Sequence, residues 1–462
     1  MPAIKAFFMM CLLIMLCLLP TVQAAPTVLP STPYLGAGNI QLSRYVQGDY
    51  LYLGAGNIPP SIVSQNDAWK LVRAVAIYLQ MANIHPKYVY IDTSLISDAH
   101  CARLWTILNE SNALSQVQVL NLTHLNQEKM DAMQQNARAL THVLITNLDG
   151  KHYNPTSFIA SMISQSPQYV GGIFRGFELS KPLLHLYAKS PKLSVLGGEV
   201  TQKNMPLLTQ WLPAHPGRLF KFYPVFSKPV DGSVIASVMR AATSQHGLKR
   251  LELSVAHAAS FTAAAGKAVV RLIQAAPKLS LFLASGNMSD AGLLPVVTGL
   301  SHYSSMNTLV VGFNHISFAK HGDWIANMAG NTAIAKLIVR GGQLSNAMML
   351  GVAVSLKQRL LPLVLDFAEN PVSNVQPFLP LLKSGMIPAL VLSSGDLSAE
   401  QQSALNAAGV PVLKAHDAKF TVLGLDASLI AKYPGYYFAS DTDGQSQLLS
   451  AGIFGIIRVW PG

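Results

Sequence analysis

Apolar residues in the second half of the chain recur in one short phrase of alternating positions. It reads Leu248-Lys-Arg-Leu251-Glu-Leu253, then Lys278-Leu-Ser-Leu281-Phe-Leu283, Met306-Asn-Thr-Leu309-Val-Val311 and Ile334-Ala-Lys-Leu337-Ile-Val339. Leu360-Leu-Pro-Leu363-Val-Leu365 and Ile387-Pro-Ala-Leu390-Val-Leu392 complete the run. Counted from the fourth residue of each phrase, the steps are 30, 28, 28, 26 and 27 residues. Alternation at period two predicts a strand in each phrase. Between phrases the apolar residues take helical spacing, as at Ala268, Val269, Leu272 and Ile273. Each period therefore predicts a strand, a turn, a helix and a loop. The first half keeps the same rhythm at Leu51/Leu53, Val89/Ile91, Leu120/Leu122, Val143/Ile145, Ile173, Leu196 and Phe220/Phe222. From Leu51 to Leu390 is 339 residues in twelve steps, a mean close to 28. The 38-residue step from Leu51 to Val89 carries an insertion or an irregular cap.

A lone strand and helix of this length cannot bury their apolar faces, whereas stacked copies share one continuous core. The unit Leu309-Val-Val311-Gly-Phe-Asn314-His-Ile316, with Trp324, Ile325 and Ile334 after it, resembles the leucine-rich repeats of the longer, ribonuclease-inhibitor-like class. Asn314 stands at that family's ladder position and Ile316 follows two residues later. Small residues replace the asparagine in other units, as at Gly342, Gly395, Gly56 and Ser94. The resemblance covers residues 48–410 and implies a solenoid of about 13 units. It implies a parallel sheet on the concave face, helices on the convex face, and recognition along the sheet. Residues 25–47 read as a linker or N-terminal cap and 411–462 as a C-terminal cap. The competing architecture is an α/β barrel, because strands such as Ala389-Leu-Val-Leu392 are apolar at successive positions, as strands buried on both faces are. Barrels of that kind close at eight strands.

The N-terminus changes the expected compartment. Lys5 precedes an apolar run from Ala6 to Leu19, Pro20 breaks it, and Val22-Gln-Ala24 supplies compact residues. That order predicts a secretory signal peptide over residues 1–24, cut after Ala24. Cleavage would remove Cys11 and Cys17, leaving Cys101 as the one thiol and no disulfide framework. The absence of cystine caps points to a bacterial exported protein, secreted or periplasmic. Half of the 462 residues are hydrophobic and 12% are charged, enough apolar material for a large core. The net charge of +11 is scattered, with no run of five or six basic residues. An acidic or envelope surface is compatible with that charge; nucleic acid is not expected as a partner.

In a repeat of this kind, the residue between the two core positions of a strand faces away from the helices. Phe282, Val310, Ile338, Val364 and Val391 hold that position in the later units. Tyr52, Tyr90, Asn121, Leu144, Lys221 and Glu252 hold it earlier. Phe313, Arg340, Asp366, Phe367 and His124 flank the row. A row this apolar predicts either a docking surface for a protein or a face covered by the chain's own tail.

Catalytic motifs are missing. No phosphate-binding Gly-x-x-x-x-Gly-Lys-Ser/Thr loop, third glycine of a dinucleotide fingerprint, Gly-x-Ser-x-Gly elbow or His-Glu-x-x-His helix occurs. The expectation is therefore a non-catalytic protein that binds a protein partner, with no cofactor and no metal. The alternative is an exported hydrolase on a barrel-like fold, whose carboxylates would gather at strand ends near Asp92, Asp366 and Asp396. A third reading is an envelope scaffold that holds polysaccharide or anionic lipid by charge.

Overall fold

Tyr50–Leu53 (β2) is the first strand followed by a helix, Gln65–Met81 (α1), in the computed structural model. The same pair of elements then recurs without interruption. Tyr88–Asp92 (β3), Val119–Thr123 (β4), His142–Ile145 (β5) and Gly171–Glu178 (β6) continue the series of strands. Val195–Glu199 (β7), Lys221–Phe226 (β8), Arg250–Val255 (β9) and Leu281–Gly286 (β10) follow. Leu309–Asn314 (β11), Ile334–Arg340 (β12), Val364–Asp366 (β13) and Leu390–Ser393 (β14) complete it. A helix follows each strand, the last being Ala399–Ala407. The described residues lie between 46 and 450, with breaks of which the longest are 54–63, 146–154 and 424–435; from 169 to 393 only 305–308 are omitted. The chain divides after Ser43, and all described residues belong to the unit Arg44–Gly462. The expected signal peptide and Ala24 lie outside the described residues.

Every strand from β2 to β14 pairs in parallel with the strand of the next unit. The protein is thus an α/β fold built on a parallel sheet, each crossover carrying a helix as parallel pairing demands. Val46–Gln47 (β1) adds an antiparallel strand to β2. After β14 the pattern changes. Phe420–Leu423 (β16) lies antiparallel between β14 and Val412–Ala415 (β15), then Ser446–Ser450 (β18) and Tyr436–Ser440 (β17) continue the sheet. The seventeen pairings among the described residues form one succession with two ends.

Register aligns one apolar residue from each unit. Leu196, Phe222, Leu251, Phe282 and Val311 are direct neighbours across five strands, and Leu337, Leu365 and Leu390 extend the row. Those side chains are 0–1% exposed. Two residues along each strand, a second buried row includes Leu253, Ala284, Phe313 and Val339. Phe282 meets Phe313 edge-on at 6.2 Å between ring centres, and Phe313 meets Phe318, in the loop ahead of the next helix, at 5.3 Å. The helices lie over these rows, beginning where a Ser or Thr supplies an N-cap. Ser180, Thr262, Ser289, Ser345 and Ser398 each accept from a backbone N–H three residues on. Ser398 and Gln401 form a full capping box.

Polar side chains tie the loops of one unit to those of the next. Asn204 Nδ2 donates to Leu179 O and Glu199 O, both at 3.0 Å. Asn370 Nδ2 donates to Val339 O at 2.6 Å while its Oδ1 accepts from Leu344 N. At the opposite ends of the helices, Asn331 bridges Leu300 O and Tyr303 O, and Gln245 bridges Leu212 O and His215 O. Asn314 does not take such a role, so the ladder position expected there is a correction. It ends β11 on the face away from the helices, and its Oδ1 is buried without a hydrogen-bond donor among the described residues.

Replacing Leu251 with alanine is expected to cost about 2–5 kcal/mol in urea unfolding, because its cavity opens between two units. Cys101 is fully buried, and burial pushes its thiol up to about 11 from the ordinary 9.0. In the chain from residue 25 onward it should resist a thiol reagent at pH 8 until denaturant is added. The neutral thiol favours the fold, so its contribution is lost as the pH rises from about 9 toward 11. Rapid labelling of the folded protein at pH 8 would contradict this placement.

Candidate functional site

Three rows of the sheet face away from the helices at its centre, and the side chains there are unlike those of the core. In register across β9 to β13, Glu252, Leu283, Gly312, Ile338 and Asp366 form the middle row. Ser254, Ser285, Asn314 and Arg340 form the row nearer the strand ends. Lys221, Arg250, Leu281, Val310, Lys336 and Val364 stand on the other side of the middle row.

The expected partner-facing residues therefore divide. Val310, Ile338, Arg340, Val364, Asp366 and Val391 lie on the face away from the helices. Phe282 and Phe313 do not: both point into the helix-side core and are at most 1% exposed. The phrase at 278–283 is displaced by one residue from the true register, so Leu283 takes the place expected for Phe282. Phe313 lies in the second core row. Phe367 is likewise 0% exposed. Lys221 sits one row from its expected place, and Tyr223 occupies that place instead. Tyr90 is half-buried, and the side chains of Tyr52, Asn121 and Leu144 lie outside the described residues.

Much of this face is closed. Ile338, Val364, Asp366 and Val391 are each at most 2% exposed, so the row is not an apolar strip in water. The tail proposed as its cover is described from residue 411 largely as the backbone of β15 to β18.

Charged groups within the face are paired. Arg340 grips Asp366 with two nitrogens, Nε at 3.1 Å from Oδ1 and Nη2 at 2.8 Å from Oδ2. Both side chains are at most 3% exposed. Lys336 is buried beside this pair; burial pulls its ammonium well below the usual range, and Asp366 offsets part of that. Lys221 Nζ lies 2.6 Å from Glu252 Oε1, both buried, and burial again lowers the lysine while Glu252 opposes it. Such pairs stabilise little against an apolar core, but removing one partner strands the other.

Between the two ionic clusters lies a cavity of about 410 Å³. Leu283, Gly312, Ile338 and Tyr223 line it together with Glu199, Glu252, Ser227, Ser254, Ser285 and Asn314. Glycine at 312 keeps the floor open, since a Cβ there would meet Leu283 Cδ2 at 2.3 Å. Glu199, 6% exposed, is held by Gly176 N at 3.1 Å on Oε1 and by the Ser227 hydroxyl at 2.5 Å on Oε2. Sequence reading missed Glu199 and the cavity. A lone Glu at a strand end carries no motif, and only the register places it with residues 24 to 139 positions away.

Elsewhere, Asp92 accepts from Ser94 Oγ at 2.7 Å and pairs with His124 Nδ1 at 2.8 Å. The serine addresses the carboxylate and not the imidazole, so these residues do not form a Ser–His pair. Asp92 on β3 and Asp366 on β13 are ten strands apart, and Asp396 lies outside the described residues. Among the described residues no three His, Cys, Asp or Glu side chains gather to hold a metal. No helix among them is long and apolar enough to cross a membrane.

No family model and no curated protein matches the chain.

Asp366→Asn should destabilise the protein by about 3–5 kcal/mol in urea unfolding, because Arg340 and Lys336 remain buried without their carboxylate. A loss under about 1 kcal/mol would show that the pair is solvated and the face open.

Proposed function

We propose that this chain is an exported leucine-rich-repeat solenoid that binds a protein partner on the strand face of its sheet, at the cavity over β7 to β12. The observation that carries this reading is the one-to-one succession of thirteen strand–helix units, each paired in parallel with the next. The succession has two ends among the described residues, which favours an open array over an eight-stranded barrel. On the helix side the surface is spent on the core. On the strand side, β9 to β11 present half-buried Leu283, Ser254, Ser285 and Asn314 around an opening. Recognition along that side fits the resemblance seen in the 28-residue period.

Binding is preferred to hydrolysis because the strand-end carboxylates are dispersed or already committed. Asp366 is chelated by Arg340 and Glu252 by Lys221. Export rests on the charged, apolar and small-residue order of residues 1–24.

The test is site-specific photo-cross-linking of the protein in cells that export it. A photoreactive residue at Ser285 or Asn287, on the rim of the cavity, should yield adducts with one partner. The same residue at Lys267, exposed on the helix Ala263–Ala275, should not. Adducts arising only from position 267 would overturn the assigned face. The exported chain should begin at Ala25; retention of residues 1–24 would remove the export part of the reading.

A further inference from the structure

The cavity has a charge opposite to that of the chain. The protein carries +11, yet among the described residues the acidic and basic side chains lining the cavity are the carboxylates of Glu199 and Glu252, with the imidazole of His315 also in the lining. Lys221 offsets Glu252 from outside the lining. Glu199 has hydrogen bonds to Gly176 N, Ser227 N and Ser227 Oγ, and among the described residues no cation pairs with it. A buried carboxylate without a counter-charge is costly, and a cation entering the cavity would remove that cost. A further acceptor stands four strands along the same row, toward the other end of the cavity. Asn314 Oδ1 lines the same space and is buried with no donor among the described residues.

The remaining walls define the ligand's shape. Next to Glu199, Tyr223 and Val225 make an apolar floor suited to a methylene stem, while the carboxylate suits a donor-only head group. Lysine and arginine side chains have that combination of stem and head. Ser254, Ser285 and Asn287 on the rim can hydrogen-bond the main chain from which such a side chain projects. The volume of about 410 Å³ falls within the range of pockets that hold discrete ligands.

We propose that the cavity over β7 to β12 is a receptor for a lysine or arginine side chain presented by an extended segment of the protein partner. This rests on the partner-binding reading above and adds the chemistry of what is read. A scattered positive surface would then keep the protein away from basic segments in general, and the cavity would admit one by local charge and fit.

The probes are acetylated heptapeptides Gly-Ser-Ser-X-Ser-Ser-Gly with X as lysine, arginine or norleucine, labelled for fluorescence anisotropy against the chain from residue 25. Norleucine keeps the stem and loses the charge. Lysine and arginine peptides should bind saturably and at least about tenfold more tightly than norleucine, a difference of about 1.4 kcal/mol. Glu199→Gln should remove most of that preference. Ser285→Tyr, which fills the mouth without touching either ion pair, should abolish binding with circular dichroism unchanged. Equal affinity for lysine and norleucine, or no binding of either cationic peptide to the folded wild-type protein, overturns the proposal. So does tighter binding of free cadaverine than of the lysine peptide. In any of those cases, adducts from position 285 would leave the partner-binding reading standing; their absence would remove both.

Discussion

A strand of three to eight residues and one helix of about three turns cannot enclose an interior. In this protein that constraint is met by sharing. Phe222 is walled by Leu196 on one side and Leu251 on the other, and each of those is in turn the wall of another unit. Parallel register makes the sharing possible, because it places equivalent residues of successive units side by side. Hydrophobic burial then accumulates along the succession, while each unit alone would be unstable. The loop-bridging amides of Asn204, Asn370, Asn331 and Gln245 satisfy carbonyls that stacking would otherwise bury unpaired.

The same alternation that builds the core decides what the other face contains. Every residue directed into the helix layer leaves its neighbours on the opposite side, and there the sequence places Lys221, Glu252, Lys336, Arg340 and Asp366. These groups are buried, so they are tolerated only as pairs and clusters. Fixed ion pairs on either side of Leu283 and Gly312 frame a cavity whose floor is apolar and whose nearest charges are negative. The proposed binding function would follow from where pairing stops: among the described residues Glu199 has hydrogen bonds but no cation, and Asn314 Oδ1 has no donor.

Period and element order were legible in the sequence because they depend on spacing alone. Thirteen apolar phrases mark the thirteen strands from β2 to β14. Register was less legible. Leu281-Phe-Leu283 and Leu251-Glu-Leu253 look equivalent, yet Phe282 aligns with Leu251, which exchanges the two faces of β10. Apolar residues on both faces of that strand leave no contrast to choose the phase, whereas Glu252 fixes it in β9. A register shift between Leu309 and Val310, opposite an extra residue in β12, also escapes pattern reading. Asn314 shows the limit of a motif: its spacing matches the ladder position, but neighbouring units settle whether the amide turns into the loops. Glu199 had no local signal at all, since its importance comes from strands that follow it.

Native-state hydrogen exchange of a Phe222→Ala variant tests the central claim most directly. If units complete one another's interior, protection should fall most in β8, next in its partners β7 and β9, and little in β3 or β13. Protection lost equally across all strands, or confined to β8 with β7 and β9 unchanged, would contradict an interior shared between neighbours.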